Sequence, residues 1–176
     1  ARVAALYNDI LPDACSCSDL LLMLEDDVLP PLDGLRRLNE AFPPLLRNAV
    51  GVCTGVYPSR CGGGKTLALS SDARHWRANV TAKDIKPGVN DIGMTPGGFT
   101  LFDSQALRQC LPMRFFMETP GHAVGWDGNT SRAMHENGWR VTYHGDVLCE
   151  HHVWRHMTDG EGGPMRLKVD RSEMVR

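Results

Sequence analysis

One short run limits the folds open to this chain more than any other. Residues 20–24 read Leu-Leu-Leu-Met-Leu, and Glu25, Asp26 and Asp27 follow at once, before Val28, Leu29 and two prolines turn the chain away. A continuous apolar run suits a strand covered on both faces, so it is expected at the centre of a sheet. Three adjacent carboxylates at its end repel one another. In open α/β sheets the carboxyl ends of the strands are where ligands bind. A hard divalent cation such as Mg²⁺ or Mn²⁺ would relieve the repulsion, because it takes oxygen ligands and often shares them with substrate phosphates. Alternate strand residues face the same way, so Glu25 and Asp27 are expected to act together. The plainer alternative is a solvated acidic turn.

The surrounding pattern fits such a sheet. Val3, Leu6, Tyr7 and Ile10 mark one face of a helix that Pro12 is expected to end. From Asp33 to Phe42, Leu35, Leu38 and Phe42 oppose Arg36, Arg37 and Glu40, as in a surface helix closed by Pro43 and Pro44. "AVGVCTGVY" reads as the next strand, "SRCGGGK" as a loop and "TLALS" as a hairpin partner. "GGFTLFD" reads as a strand entered through Gly97 and Gly98, followed by a short helix from Ser104 to Cys110. Asp127 is placed to cap a helix running to Asn137, with Gly138 at its stop. "WRVTYH" and "DVLCEHH" read as two short strands, and the Gly-rich, charged tail after Trp154 as mobile. Helices and strands alternate, so the expected class is α/β in one domain.

Composition narrows the partners. Nineteen basic residues against twenty-one acidic ones leave a formal charge of −2 with no long basic run, which gives no surface for nucleic acid. The apolar run of residues 20–24 is far short of the roughly 20 residues that cross a bilayer, so no transmembrane segment or signal peptide is expected. The six cysteines form no CxxC pair and read as reduced thiols of a cytoplasmic protein.

Two further stretches carry chemistry. His151 and His152 in "VLCEHHVWRH" follow a strand; neighbours on a strand point to opposite faces, so one of them is expected to meet the acids as a metal ligand. Asp127, as a helix cap beside a positive helix end, is expected to stay ionised and to be able to take a proton from a hydroxyl. "SRCGGGKT" ends like a phosphate-binding P-loop, but Ser59 stands where that motif needs Gly and "LALSS" where it needs a helix.

The order of these parts, "LEDDVLPP", then "GGFTLF", then "GWDGNTSRAMHENGWRVTYHGDVLCEHHVWR", resembles the nucleotide-sugar glycosyltransferases of the GT-A fold, the family 2 type and its relatives. "EDD" is similar to their DxD element, with Glu25 in place of the first Asp. "HHVWR" is similar to the closing "GHxFR" segment of the polypeptide GalNAc-transferases. The resemblance implies a Rossmann-like three-layer α/β sheet with helices on both faces over residues 1–155, with residues 156–176 as a flexible tail or lid. Only about twenty residues precede the DxD-like strand, so the resemblance implies the second half of such a domain, lacking the N-terminal nucleotide-binding half.

What the family would do with these residues follows. Asp27, His152 and Glu25 would hold Mn²⁺ or Mg²⁺ against the diphosphate of a nucleoside-diphosphate sugar, with Asp26, Arg2 and Asn8 near the nucleotide. Asp127 would be the base that deprotonates a hydroxyl acceptor on a glycan, lipid or protein, with inversion favoured over retention. Gly97, Gly98 and Phe99 would line the substrates, and Trp126 and Trp154 would offer flat faces to sugar rings. Two rival expectations stand beside this one: a metal-dependent hydrolase using the acids with His151, His152 and His156, and a non-catalytic binding module of the same fold.

Overall fold

Helices and strands do alternate in the computed structural model, which describes residues 2–43, 49–59, 66–73, 79–113, 117–119, 122–153 and 163–165. In chain order they are α1 (Arg2–Cys17), β1 (Leu20–Leu24), β2 (Val28–Leu29), α2 (Gly34–Asn39), β3 (Val50–Val56), β4 (Thr66–Ser70), β5 (Asn79–Thr81), β6 (Val89–Asp91) and β7 (Phe99–Asp103). They continue with α3 (Ser104–Gln109), β8 (Met117–Thr119), β9 (His122–Val124), α4 (Trp126–Glu136), β10 (Arg140–Leu148), β11 (Glu150–Val153) and β12 (Gly163–Met165).

A five-stranded mixed sheet in the order β1-β7-β3-β10-β6 organises the molecule. β3 and β10 pair in parallel, whereas β7 runs antiparallel to both β1 and β3. Side chains alternate between two apolar layers, as the pleat requires. Val52 and Phe102 join Leu11, Leu107 and Met134 under α1, α3 and α4. Their neighbours Cys53 and Leu101 join Leu38 and Phe42 on the side of α2. The chain is therefore mixed α/β, with helices on both faces of a central sheet. At six residues α2 is too short to persist alone. It is held by Leu38, which is fully buried and contributes about 2 kcal/mol.

Several expectations need correction. The apolar run of β1 does not lie at the centre: among the described residues β1 pairs with β7 alone and forms the sheet edge. Met23 is buried, but Leu22 and Leu24 are 41% and 53% exposed. A run of leucines records affinity for cover, and whether cover arrives depends on the neighbouring strand. β3 takes the central place, with every residue buried.

Pro12 does not end the first helix. α1 runs through it, giving up one backbone hydrogen bond at a cost of roughly 3 kcal/mol, because Leu11 and Cys15 on either side are buried against the sheet. "TLALS" becomes β4, which pairs with β5 and meets the segment after β3 at the bridge between Pro58 and Leu67 and at the Ala68 N–H bond to the Tyr57 carbonyl. The two short strands expected after Gly138 include one continuous strand, β10, because Gly145 leaves room for the Lys86 carbonyl that a Cβ would strike. Within residues 156–176, β12 pairs with β11; the rest of that segment lies outside the described residues.

Candidate functional site

Strand direction decides where chemistry can gather. β1, β3 and β10 run the same way and β7 runs against them, so three carboxyl ends and one amino end share a single rim of the sheet. Glu25 to Asp27 leave β1 there, Tyr57 leaves β3, Cys149 to His151 leave β10, and Gly97 and Gly98 enter β7.

A buried pair of ionisable groups on this rim joins Asp27 and His151. β2 and β11 pair antiparallel, with Val28 opposite His151. Asp27 occupies the turn before β2, so strand alternation with Glu25 no longer governs its side chain. Both side chains are buried, Asp27 at 6% and His151 at 3% exposure. His151 Nδ1 lies 2.6 Å from the Pro58 carbonyl, which only accepts, so Nδ1 donates there and Nε2 is the ring atom turned toward Asp27. Nε2 and Asp27 Oδ2 are 3.7 Å apart, beyond hydrogen-bond reach.

His152, the histidine expected to meet Asp27, is exposed. It reaches Asp27 only through the main chain, its N–H donating to the Asp27 carbonyl at 2.7 Å. Of the two histidines, His151 is buried with its ring facing Asp27, and His152 is exposed.

Tyr57, which the sequence reading passed over, is the buried hub of the rim. Its hydroxyl accepts the Gly98 N–H at 2.7 Å, and its ring meets His151 edge-on with centroids 5.2 Å apart. Its pKa stands well above the ordinary phenol value, chiefly through burial and next through the negative charge of Glu25; the Gly98 amide acts the other way, and the charge of Asp127 adds to the rise. The only sequence signal for Tyr57 was an aromatic residue closing a β-branched strand.

Asp127 is the second residue of α4, and Gly125 rather than Asp127 is the cap. The Asp127 carboxylate accepts the Gly128 N–H at 2.8 Å. Even so its pKa is raised, because burial outweighs that amide. The net shift thus runs against the helix end, which by itself would favour the ionised form.

Other candidates are spent on architecture. Asn8 brackets Met113, its Nδ2 donating to the Met113 carbonyl at 3.2 Å and its Oδ1 accepting the Met113 N–H at 2.7 Å, so both ends of its amide are engaged in fixing a loop. Phe99 is buried in the apolar layer beside Val28 and Leu38. The space beside Gly97 is filled by the Trp126 indole and that beside Gly98 by Tyr57, so both glycines admit protein groups where substrate was expected. Trp126 is half-buried and also packs at 6.0 Å from Tyr7. Asp26 is exposed on the turn. The side chain of Arg2, and Trp154 and His156 entirely, lie outside the described residues.

The overall shape has a counterpart. The fold resembles that of A197 from STIV. The crystal structure of A197 aligns with a TM-score of 0.59 and 15% identity, over 96% of this chain and 78% of A197. At that identity the likeness to A197 concerns the fold alone. No protein-family model matches the chain, and no curated protein matches it.

A divalent ion is testable against this geometry. Two donors about 2.1 Å from one ion stand no more than about 4.2 Å apart. The 3.7 Å between His151 Nε2 and Asp27 Oδ2 satisfies that limit, and the Nδ1–H bond to a carbonyl is the support a ligating histidine normally has. Among the described residues, no three His, Cys, Asp or Glu side chains gather closely enough to enclose an ion, so Glu25 does not join Asp27 and His151 in one closed set. The pair fits an ion that takes its remaining ligands from a substrate or from water. No helix among the described residues is long and apolar enough to cross a membrane.

Proposed function

We propose that this chain carries the catalytic rim of a metal-dependent glycosyltransferase that moves a sugar from a nucleoside-diphosphate sugar to a hydroxyl acceptor. The observation that carries the reading is the Asp27–His151 pair, facing at 3.7 Å beside Tyr57, which also feels the charge of Asp127. Mn²⁺ or Mg²⁺ held by that pair would supply Lewis-acid stabilisation to the departing diphosphate. An open pair suits this use, because such ions are commonly bound by few protein ligands and completed by substrate phosphates.

Asp127 accepts the proton of the acceptor hydroxyl while that oxygen bonds to the anomeric carbon. The bond from this carbon to the diphosphate breaks, and its electron pair leaves with the diphosphate. Burial makes the Asp127 carboxylate a stronger base than an ordinary one, and Gly128 holds the oxygen that bonds its amide. Glu25, fixed at the end of β1 by its N–H bond to the Gly98 carbonyl at 2.8 Å, contributes negative charge beside the rim.

The test is incubation with Mn²⁺, a panel of nucleoside-diphosphate sugars and a panel of hydroxyl acceptors, read by mass spectrometry. Glycosylated acceptor is expected, with a loss of about 10²- to 10⁴-fold in Asp127→Asn. Release of sugar without any acceptor would replace transfer by hydrolysis. Nucleotide binding without turnover would reduce the chain to a binding module.

A further inference from the structure

Metal ligands need partners that hold them in place, and one buried side chain touches both flanks of this rim. Tyr57 is 2% exposed, so it does not meet a substrate directly. On one side its ring packs edge-on against His151 at an interplanar angle of 74°. On the other side its hydroxyl accepts the Gly98 N–H at 2.7 Å, and the carbonyl of the same residue accepts the Glu25 N–H at 2.8 Å. Gly98 thus links the phenol to the acidic turn, donating at one end and accepting at the other. Tyr57 is itself tied down, since its carbonyl accepts the Ala68 N–H at 3.0 Å. Any side chain on Gly98 would strike the phenol, so the glycine and the tyrosine form one fitted unit.

We infer that Tyr57 is the positioning residue of the metal site: through its ring it sets the angle of His151, and through Gly98 it fixes the backbone that carries Glu25 into the turn of Asp27. The inference rests on the metal reading given above. It assigns Tyr57 no contact with the ion. Loss of a residue that orients metal ligands typically weakens the metal by about 10- to 100-fold.

Two substitutions separate the contacts. Tyr57→Phe keeps the ring against His151 and removes the hydroxyl; Tyr57→Leu removes both. Binding is read by titrating Mn²⁺ alone and following paramagnetic broadening of the Asp27 and His151 amide resonances. The expected result is Mn²⁺ affinity about 10-fold weaker in Tyr57→Phe and about 100-fold weaker in Tyr57→Leu. Leu107→Ala, which destabilises the opposite apolar layer, should stay within about twofold of wild type and so excludes a general effect of lost stability. Equal affinity in wild type and Tyr57→Phe overturns the role of the hydroxyl. If the wild-type chain binds no Mn²⁺, the metal reading fails on its own, and Tyr57 is judged by hydrogen exchange at the Gly98 amide. Faster exchange in Tyr57→Phe sustains the clamp, and unchanged exchange sinks it.

Discussion

The rim at the strand ends and the outer edge of β1 break the usual division of side chains in opposite directions. The rim buries Asp27, His151 and Tyr57, groups that normally prefer water. The edge exposes Leu22 and Leu24, and beside it Leu35, groups that normally avoid water. A groove beside the edge is lined by Leu20, Leu22, Leu35, Arg36, Asn39 and Leu101. Burying the rim's polar groups costs free energy that hydrogen bonds must offset, and most of those bonds run to backbone: Pro58 for His151, Gly98 for Tyr57. The edge has no such compensation, since an uncovered leucine gains nothing by being where it is. The lesson is that polarity at the rim is held by precise partners, whereas apolarity at the edge reflects a strand with one neighbour among the described residues.

Substitutions can break or sharpen this contrast. The largest effect is expected at the rim: Asp27→Ala or His151→Ala should abolish transfer and weaken Mn²⁺ by more than about 100-fold, while His152→Ala stays within about twofold, all by titration. A tie between the two histidines would erase the selection made by β2 and β11. Next, Leu38→Ala, beneath α2, should cost about 2–5 kcal/mol in urea unfolding, whereas Leu22→Ala at the edge should cost less than about 1 kcal/mol.

A smaller and pH-dependent effect is expected at Asp127. Burial raises its pKa in the folded chain, so folding favours the protonated form. Stability from this group is full below the ordinary carboxylate value of 3.8 and is lost as pH rises through the raised folded value. Asp127→Asn should therefore raise the Tm at pH 7 by a few degrees, with the difference closing toward pH 3. The smallest change in folding free energy, within about 0.5 kcal/mol, is expected for Leu22→Lys. Its readout is sedimentation, where reduced self-association should follow from charging an open strand edge.

Much of the layout was legible from the order of residues. β3, β7 and α3 fall where β-branched and glycine signals put them, and the acidic turn after β1 does lie on the rim. What failed depended on neighbours distant in sequence. Centre and edge look alike in a leucine run because burial is conferred by the next strand. His151 and His152 are equivalent in sequence, and the register of β2 against β11 separates them. Asn8, Phe99 and the two glycines carry the residue types of a binding site, yet each is engaged by a protein group from another segment. Tyr57 was missed for the converse reason: a buried tyrosine is ordinary until its hydroxyl is seen on a backbone amide.

The parallel pairing of β3 with β10 has a consequence in time. Thr142 reaches the Val52 carbonyl across 90 residues of sequence, and His151 reaches Pro58 across 93. Contacts of such separation close slowly, because a long loop must be ordered before the contact returns any free energy. The strand that delivers His151 is also made well after the acidic turn that follows β1. A nascent chain that already displays the acidic turn therefore lacks His151 to set against it until β11 is made. Refolding followed by Mn²⁺ broadening should lag behind refolding followed by α-helical signal.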